Sequence, residues 1–137
     1  MRAVIDTSFW IDYGRGDVTA SERERVERLW RQGDAILYQF VWLELVAAFR
    51  SPKEQRVLRE YRTISQWEPM IPEDGVKAER FADLLRGKGH TIGASDLLIM
   101  AAADRLGAKL IHHDDDFALA FKQPEFTHLG VRTDPSR

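Results

Sequence analysis

The chain contains no cysteine, which removes disulfides and thiolate metal sites and leaves no requirement for an oxidising compartment. No apolar run approaches the ~20 residues that a membrane span needs. The opening segment, MRAVIDTSFWIDYGRGD, carries Asp6, Asp12 and Asp17, too many charges for the apolar stretch of a secretory leader. A soluble, cytoplasmic protein without membrane association is therefore expected. An excess of one charge is missing too, because 20 Lys and Arg face 22 Asp and Glu for a net charge of −2. That excludes binding a polyanion by bulk electrostatics, so such a partner needs a local basic surface or bound cations. There is no internal repeat, low-complexity tract or linker. The 137 residues, 44% of them hydrophobic, are expected to build one core in one domain, 1–137.

What is present is an alternation of short apolar runs with helical segments, which predicts an α/β fold with a mostly parallel sheet. Ala3-Val4-Ile5 reads as a buried strand ending at Asp6. Thr7 and Ser8 open a short apolar helix through Trp10 and Ile11, broken near Gly14 and Gly16. Thr19 or Ser21 can cap the next helix, with Glu22 or Glu24 completing a capping box, and Gly33 stops it. A second strand follows at 35–38, then an apolar helix over 41–49. Ser51-Pro52-Lys53-Glu54 restarts a helix, with Ser as cap, Pro at the first helical position and Glu at the third. Residues 68–71 read as an edge strand, where proline is tolerated. Helices are expected over 73–86, 95–106 and 117–122. Strands are expected at 109–111 and around 126–128.

Placement singles out a few of the acids. Asp6 and Asp114 follow apolar strands, at the carboxyl ends where open α/β sheets put their ligand sites. Glu44 is the only ionisable residue in VWLELVAAF, and burying it ionised costs several kcal/mol unless a metal ion or an arginine compensates. Asp96 opens a helix that is otherwise apolar for several residues. It either serves the helix N-terminus, where Ser95 is the better cap, or belongs to the site. Among Asp114, Asp115 and Asp116, the first is expected at a metal, the last as a further ligand or a cap, and Asp115 in solvent. Four carboxylates converging on one crevice are tolerable at neutral pH only around a hard divalent cation, and oxygen-only ligation points to Mg²⁺ or Mn²⁺.

VIDTSFWID at the start, LEL around Glu44, SDLLIMAAA around Asp96 and LIHHDDDF at 110–117 also carry a family resemblance. Together, in this order and covering nearly the whole chain, they resemble PIN-domain nucleases, and in particular the VapC-type toxins of type II toxin–antitoxin systems. The resemblance implies an α/β/α sandwich around a mostly parallel sheet of about five strands. It implies a Mg²⁺- or Mn²⁺-dependent endoribonuclease acting on structured RNA such as tRNA, a cognate VapB-type antitoxin, and a homodimer. The family's catalytic positions fall on Asp6, Glu44, Asp96 and Asp114. Asp6, Asp96 and Asp114 would hold the principal ion, while Glu44 would serve a second ion or the attacking water. Hydrolysis of this kind leaves a 5′-phosphate and does not use the 2′-hydroxyl as nucleophile. Where many relatives carry threonine or serine two residues before the fourth acid, this chain has His112.

For a polyanion, the segment RSPKEQRVLREYR supplies Arg50, Lys53, Arg56, Arg59 and Arg62 at three-residue spacing, a drifting helical stripe that is either a solvated face or an RNA-contacting flank. Lys77, Arg80, Arg86 and Lys88 are a weaker candidate, and 22–31 reads as salt-bridged surface. Phe9, Trp10 and Trp42 suit either the core or a groove for an antitoxin helix. Adjacent His112 and His113 at a strand end point to opposite faces, which disfavours a two-histidine ribonuclease mechanism. A receiver-type phosphoacceptor or a dehalogenase-like phosphatase would want further acids or a lysine beside Asp6-Thr7-Ser8. The remaining alternative is a catalytically silent PIN fold that only binds RNA or protein.

Overall fold

The computed structural model describes residues 1–131. Elements follow in the order β1 (Ala3–Ile5), α1 (Thr7–Arg15), α2 (Ala20–Gln32), β2 (Ala35–Tyr38), α3 (Gln39–Ala48), α4 (Pro52–Ile64), β3 (Gln66–Glu68), α5 (Pro72–Gly87), α6 (Ala94–Arg105), β4 (Lys109–Ile111) and α7 (Asp115–Ala120). The strands form one parallel sheet of order β3-β2-β1-β4. β1 and β2 are buried along their whole length, which is why they read as unbroken apolar runs and not as alternating ones.

Among the described residues the sheet has four strands, where about five were expected. Residues 126–128 form turns, and only Leu110 and Gly130 make an isolated parallel bridge there, with Leu110 N–H donating to Leu129 O at 2.7 Å. Gly130 permits that approach, since a Cβ on it would sit 2.9 Å from the Phe121 ring. The edge strand lies two residues earlier than expected, at Gln66–Glu68. It ends where Pro69 can no longer donate to a ladder. The first helix runs through Gly14 to Arg15, and the last begins at Asp115 because Asp114 caps it.

Local signals account for the helix boundaries. Thr19 accepts from Glu22 N–H while the Glu22 carboxylate takes Thr19 N–H, a reciprocal cap at the start of α2. Gly33 closes the same helix in the left-handed conformation, at φ 73°. Ser51 and Glu54 repeat the box on α4, with Pro52 in its first turn. The core joins the sheet to the inner faces of the helices; Trp10, Tyr38, Phe9, Phe117 and Phe126 are its largest buried side chains. α5 packs along α6, and α3 packs against both α1 and α6.

This topology creates a crevice. The chain leaves β1 toward β2 and β3 on one side, and β4 returns to the other side of β1. The order therefore reverses between β1 and β4, where open parallel sheets bind their ligands beyond the strand ends.

Candidate functional site

Asp6 follows β1 directly and is 3% exposed. It also caps α1, its Oδ2 accepting from Ser8 N–H at 3.1 Å and from Ser8 Oγ at 2.6 Å. Asp114 stands three residues beyond the end of β4 and caps α7, accepting from Asp116 N–H at 2.7 Å. Asp96 comes from the first turn of α6, whose cap is Gly93 without any side-chain bond. Neither Ser95 nor Asp96 caps that helix, although Asp96 lies in its first turn, where a negative charge complements the helix dipole.

Ligand atoms of Asp96, Asp114 and Asp116 lie within 4.8 Å of one another. Asp116 thus joins the cluster, and the cap of α7 is Asp114 itself. Asp115 faces solvent as expected. Glu44 reaches the same region from α3, and its Oε1 accepts from Thr7 Oγ1 at 2.7 Å. The expectation of a deeply buried Glu44 needs correction: the residue is partly exposed and has a hydroxyl partner. The apolar character of α3 extends to solvent instead, at Leu43 and Val46.

Electrostatics join the five acids into one centre. Burial and the charges of Asp114, Asp6, Asp116 and Glu44 push the Asp96 carboxyl up to about 7. Burial also raises Asp6, to about 6; hydrogen bonds from Ser8 oppose the shift and the Glu44 charge adds to it. No cation is among the leading influences on either group. The donor set is all carboxylate oxygen, close-spaced and short of positive charge, which fits a hard divalent cation such as Mg²⁺ or Mn²⁺.

The histidines serve structure around this centre. His112 is buried against Phe117 and Phe121, and burial lowers its pKa to about 4, so the ring is neutral. Its Nδ1 accepts from Asp114 N–H at 3.1 Å. His113 points the other way, between Asp12 and Glu22. That places Glu22 inside the molecule, a correction to the reading of 22–31 as surface. The neighbouring pairs Arg23–Glu27 and Arg28–Glu24 do lie on the outside. Asp12, Glu22 and His113 are the residues whose part in this region sequence reasoning missed. The one signal available was Glu22 as a capping residue, and the capping box conceals its second role because the two oxygens serve different partners.

The basic candidates separate. Arg50, Lys53, Arg56 and Arg59 are exposed on or beside α4. Arg62 is occupied, its guanidinium 4.0 Å from the Trp67 ring centroid and 5.1 Å from that of Trp42. In the weaker set, Lys77 pairs with Asp104, Arg86 with Asp83 and Lys88 with Glu125. Phe9 and Trp10 are core residues, with Trp10 packed at a tilt against Tyr61, centroids 3.9 Å apart, and donating to Ile5 O.

Fold and site together define a parallel α/β protein with an acidic centre at the switch point of its sheet. The chain belongs to the PIN domain family, whose model matches residues 3–122. Solved structures of the same fold include VapBC2 from Rickettsia felis bound to a promoter DNA fragment. It has a TM-score of 0.80 and 18% identity, covering 98% of this chain and 100% of that one. VapBC-1 from nontypeable Haemophilus influenzae gives 0.70 at 23% identity, covering 89% and 93%. VapC20 from Mycobacterium tuberculosis, a sarcin–ricin loop cleaving toxin, gives 0.60 at 18% identity, covering 86% and 94%. No curated protein matches the chain.

Proposed function

We propose that this protein is a metal-dependent endoribonuclease, the VapC-type toxin of a type II toxin–antitoxin pair, acting in the cytoplasm. The observation that carries the reading is Asp96 in α6, whose burial, together with four further carboxylates around it, raises its pKa to about 7. Such an arrangement is poor for stability and suited to a cation. Asp96, Asp114 and Asp116 would hold Mg²⁺ or Mn²⁺, with Asp6 completing the set from β1. A bound ion of this kind lowers the pKa of a coordinated water and neutralises charge on the phosphoryl oxygens. Thr7 holds the Glu44 carboxylate in place, leaving Glu44 to orient the attacking water or assist a second ion. Ser8 restrains Asp6 in the same way.

The substrate class is structured RNA, of which tRNA is one form and the sarcin–ricin loop named for the mycobacterial relative is another. Arg50, Lys53, Arg56 and Arg59 are exposed to contact its phosphates. The partner would be a VapB-type antitoxin, as in the VapBC complexes of similar fold. A groove of about 220 Å³ between α1 and α4 offers it a seat, floored by Ile11, Phe49 and Val57 and rimmed by Arg15 and Lys53. A segment lying there would cover Lys53. Exposed Leu43 and Val46 on α3 offer an apolar surface for a homodimer.

The test is incubation of the purified protein with total RNA in Mg²⁺ or Mn²⁺ against chelator, comparing wild type with Asp6→Asn. Metal-dependent cleavage lost in Asp6→Asn supports the reading. Equal cleavage by both proteins overturns the mechanism, and no cleavage by either leaves a binding module.

A further inference from the structure

His113 stands one residue before Asp114, in the three-residue junction between β4 and α7, and its side chain is 5% exposed. Both ring nitrogens face carboxylates: Nδ1 lies 2.7 Å from Asp12 Oδ2, and Nε2 lies 2.5 Å from Glu22 Oε2. The ring is thus held at both nitrogens by carboxylates from elsewhere in the fold. Asp12 belongs to α1 and Glu22 to α2, so one ring ties the junction to two helices. The ring also packs on Phe9, with centroids 4.8 Å apart. The main chain makes a further tie. His113 N–H donates to Ser8 Oγ at 3.0 Å, and that hydroxyl donates to Asp6 Oδ2 at 2.6 Å.

These contacts oppose a definite force. The carboxylates of the cluster repel one another, the ligand atoms of Asp96, Asp114 and Asp116 lying within 4.8 Å, and the bonds of Asp114 itself stay local, to His112 and Asp116 within two positions. Without a tie, the ends of β1 and β4 would relieve the repulsion by moving Asp6 and Asp114 apart. The geometry points to His113 as a positioning residue that, through Asp12, Glu22 and Ser8, fixes where Asp6 and Asp114 stand relative to each other beyond the ends of β1 and β4. This rests on the metal-dependent reading of the site. Residues that orient metal ligands without touching the ion typically contribute 10–100-fold in affinity.

The test measures Mn²⁺ binding by titration calorimetry on the full chain, well below the unfolding temperature of each variant. His113→Phe keeps a ring against Phe9 but removes both ring nitrogens, and it should weaken Mn²⁺ binding by about 10–100-fold. A role confined to packing would lower the unfolding temperature of His113→Phe and leave its Mn²⁺ affinity intact, and that result overturns the proposal. If His113→Phe does not fold, Ser8→Ala breaks the second tie and must also weaken binding; unchanged affinity there overturns it equally. Wild type that binds no Mn²⁺ removes the metal reading of the site, and this inference with it.

Discussion

Two buried aspartates in this molecule have opposite fates. Asp74 in α5 is 1% exposed. Burial opposes its charge, but hydrogen bonds from Arg105, Tyr38 and Ile71 N–H outweigh that, and its carboxyl lies below the ordinary range. Arg105 also reaches Glu68 at 3.0 Å, closing a network that joins α5, α6, β2 and β3. Asp6 is buried almost as deeply, yet it and Asp96 lie above the ordinary range, with carboxylates for neighbours. The first aspartate has its compensating cation within the fold. The second lies in a centre whose leading charge influences are all negative. A buried acid with its own arginine is architecture, whereas a set of acids that raise one another's pKa is where a functional ion is expected.

The largest effect should come from removing a ligand. Asp96→Asn is expected to cut metal-dependent RNA cleavage by at least about 100-fold, exceeding the loss typical of residues that only support a ligand. In the absence of metal the same substitution should raise the unfolding temperature, because it removes charge from a repulsive cluster. A drop in both quantities would place Asp96 with Asp74, among the structural acids.

Breaking the other region should do the reverse. Arg105→Ala leaves Asp74 buried without its cation and should cost about 3 kcal/mol, the lower end for a broken buried pair because Arg105 keeps some exposure. Urea denaturation measures this. Mn²⁺ affinity should not change.

Metal and pH sharpen the contrast further. Saturating Mn²⁺ should stabilise the wild type at neutral pH, by about 2.7 kcal/mol at a concentration 100 times the Kd. Without metal, the raised Asp6 and Asp96 make folding release stability as pH climbs. Their penalty is absent below the unfolded aspartate pKa near 4 and complete above about 7. The metal-free protein should therefore gain stability as pH falls from about 7.5 to 5, and Asp96→Asn should flatten that rise. Asp74 has the opposite sign: its contribution persists above the unfolded pKa and is lost only as pH falls through its lowered value. Thermal scans across this range, with and without Mn²⁺, separate the two.

The smallest effect belongs to the surface. Arg56→Glu with Arg59→Glu should weaken RNA binding several-fold and reduce its salt dependence, leaving cleavage at saturating RNA unchanged. Filter binding at two salt concentrations checks it. No change in the salt slope would make α4 a solvated face.

Much of this protein is legible in its residues taken in order. The apolar runs at 3–5, 35–38 and 109–111 specify buried parallel strands, and Thr19, Ser51, Pro52 and Gly33 set helix ends through contacts within a few positions of themselves. Asp6, Asp96 and Asp114 stand out because a carboxylate beside such runs needs a reason. The weakly patterned ends were harder: 126–128 carries strand-forming residues, yet it turns, and Gly130, close against Phe121, permits an isolated bridge to Leu110.

What tertiary structure alone decided is the partnership of distant side chains. Nothing near Glu22 in the chain tells of His113, 91 positions away, and nothing near Asp74 tells of Arg105. Nor does the primary structure distinguish the acid that receives an arginine from the acids that receive one another. Capping and hydrophobic runs act over one or two turns and are written locally. Charge acts through space, and the sheet's reversal between β1 and β4 determines which charges meet.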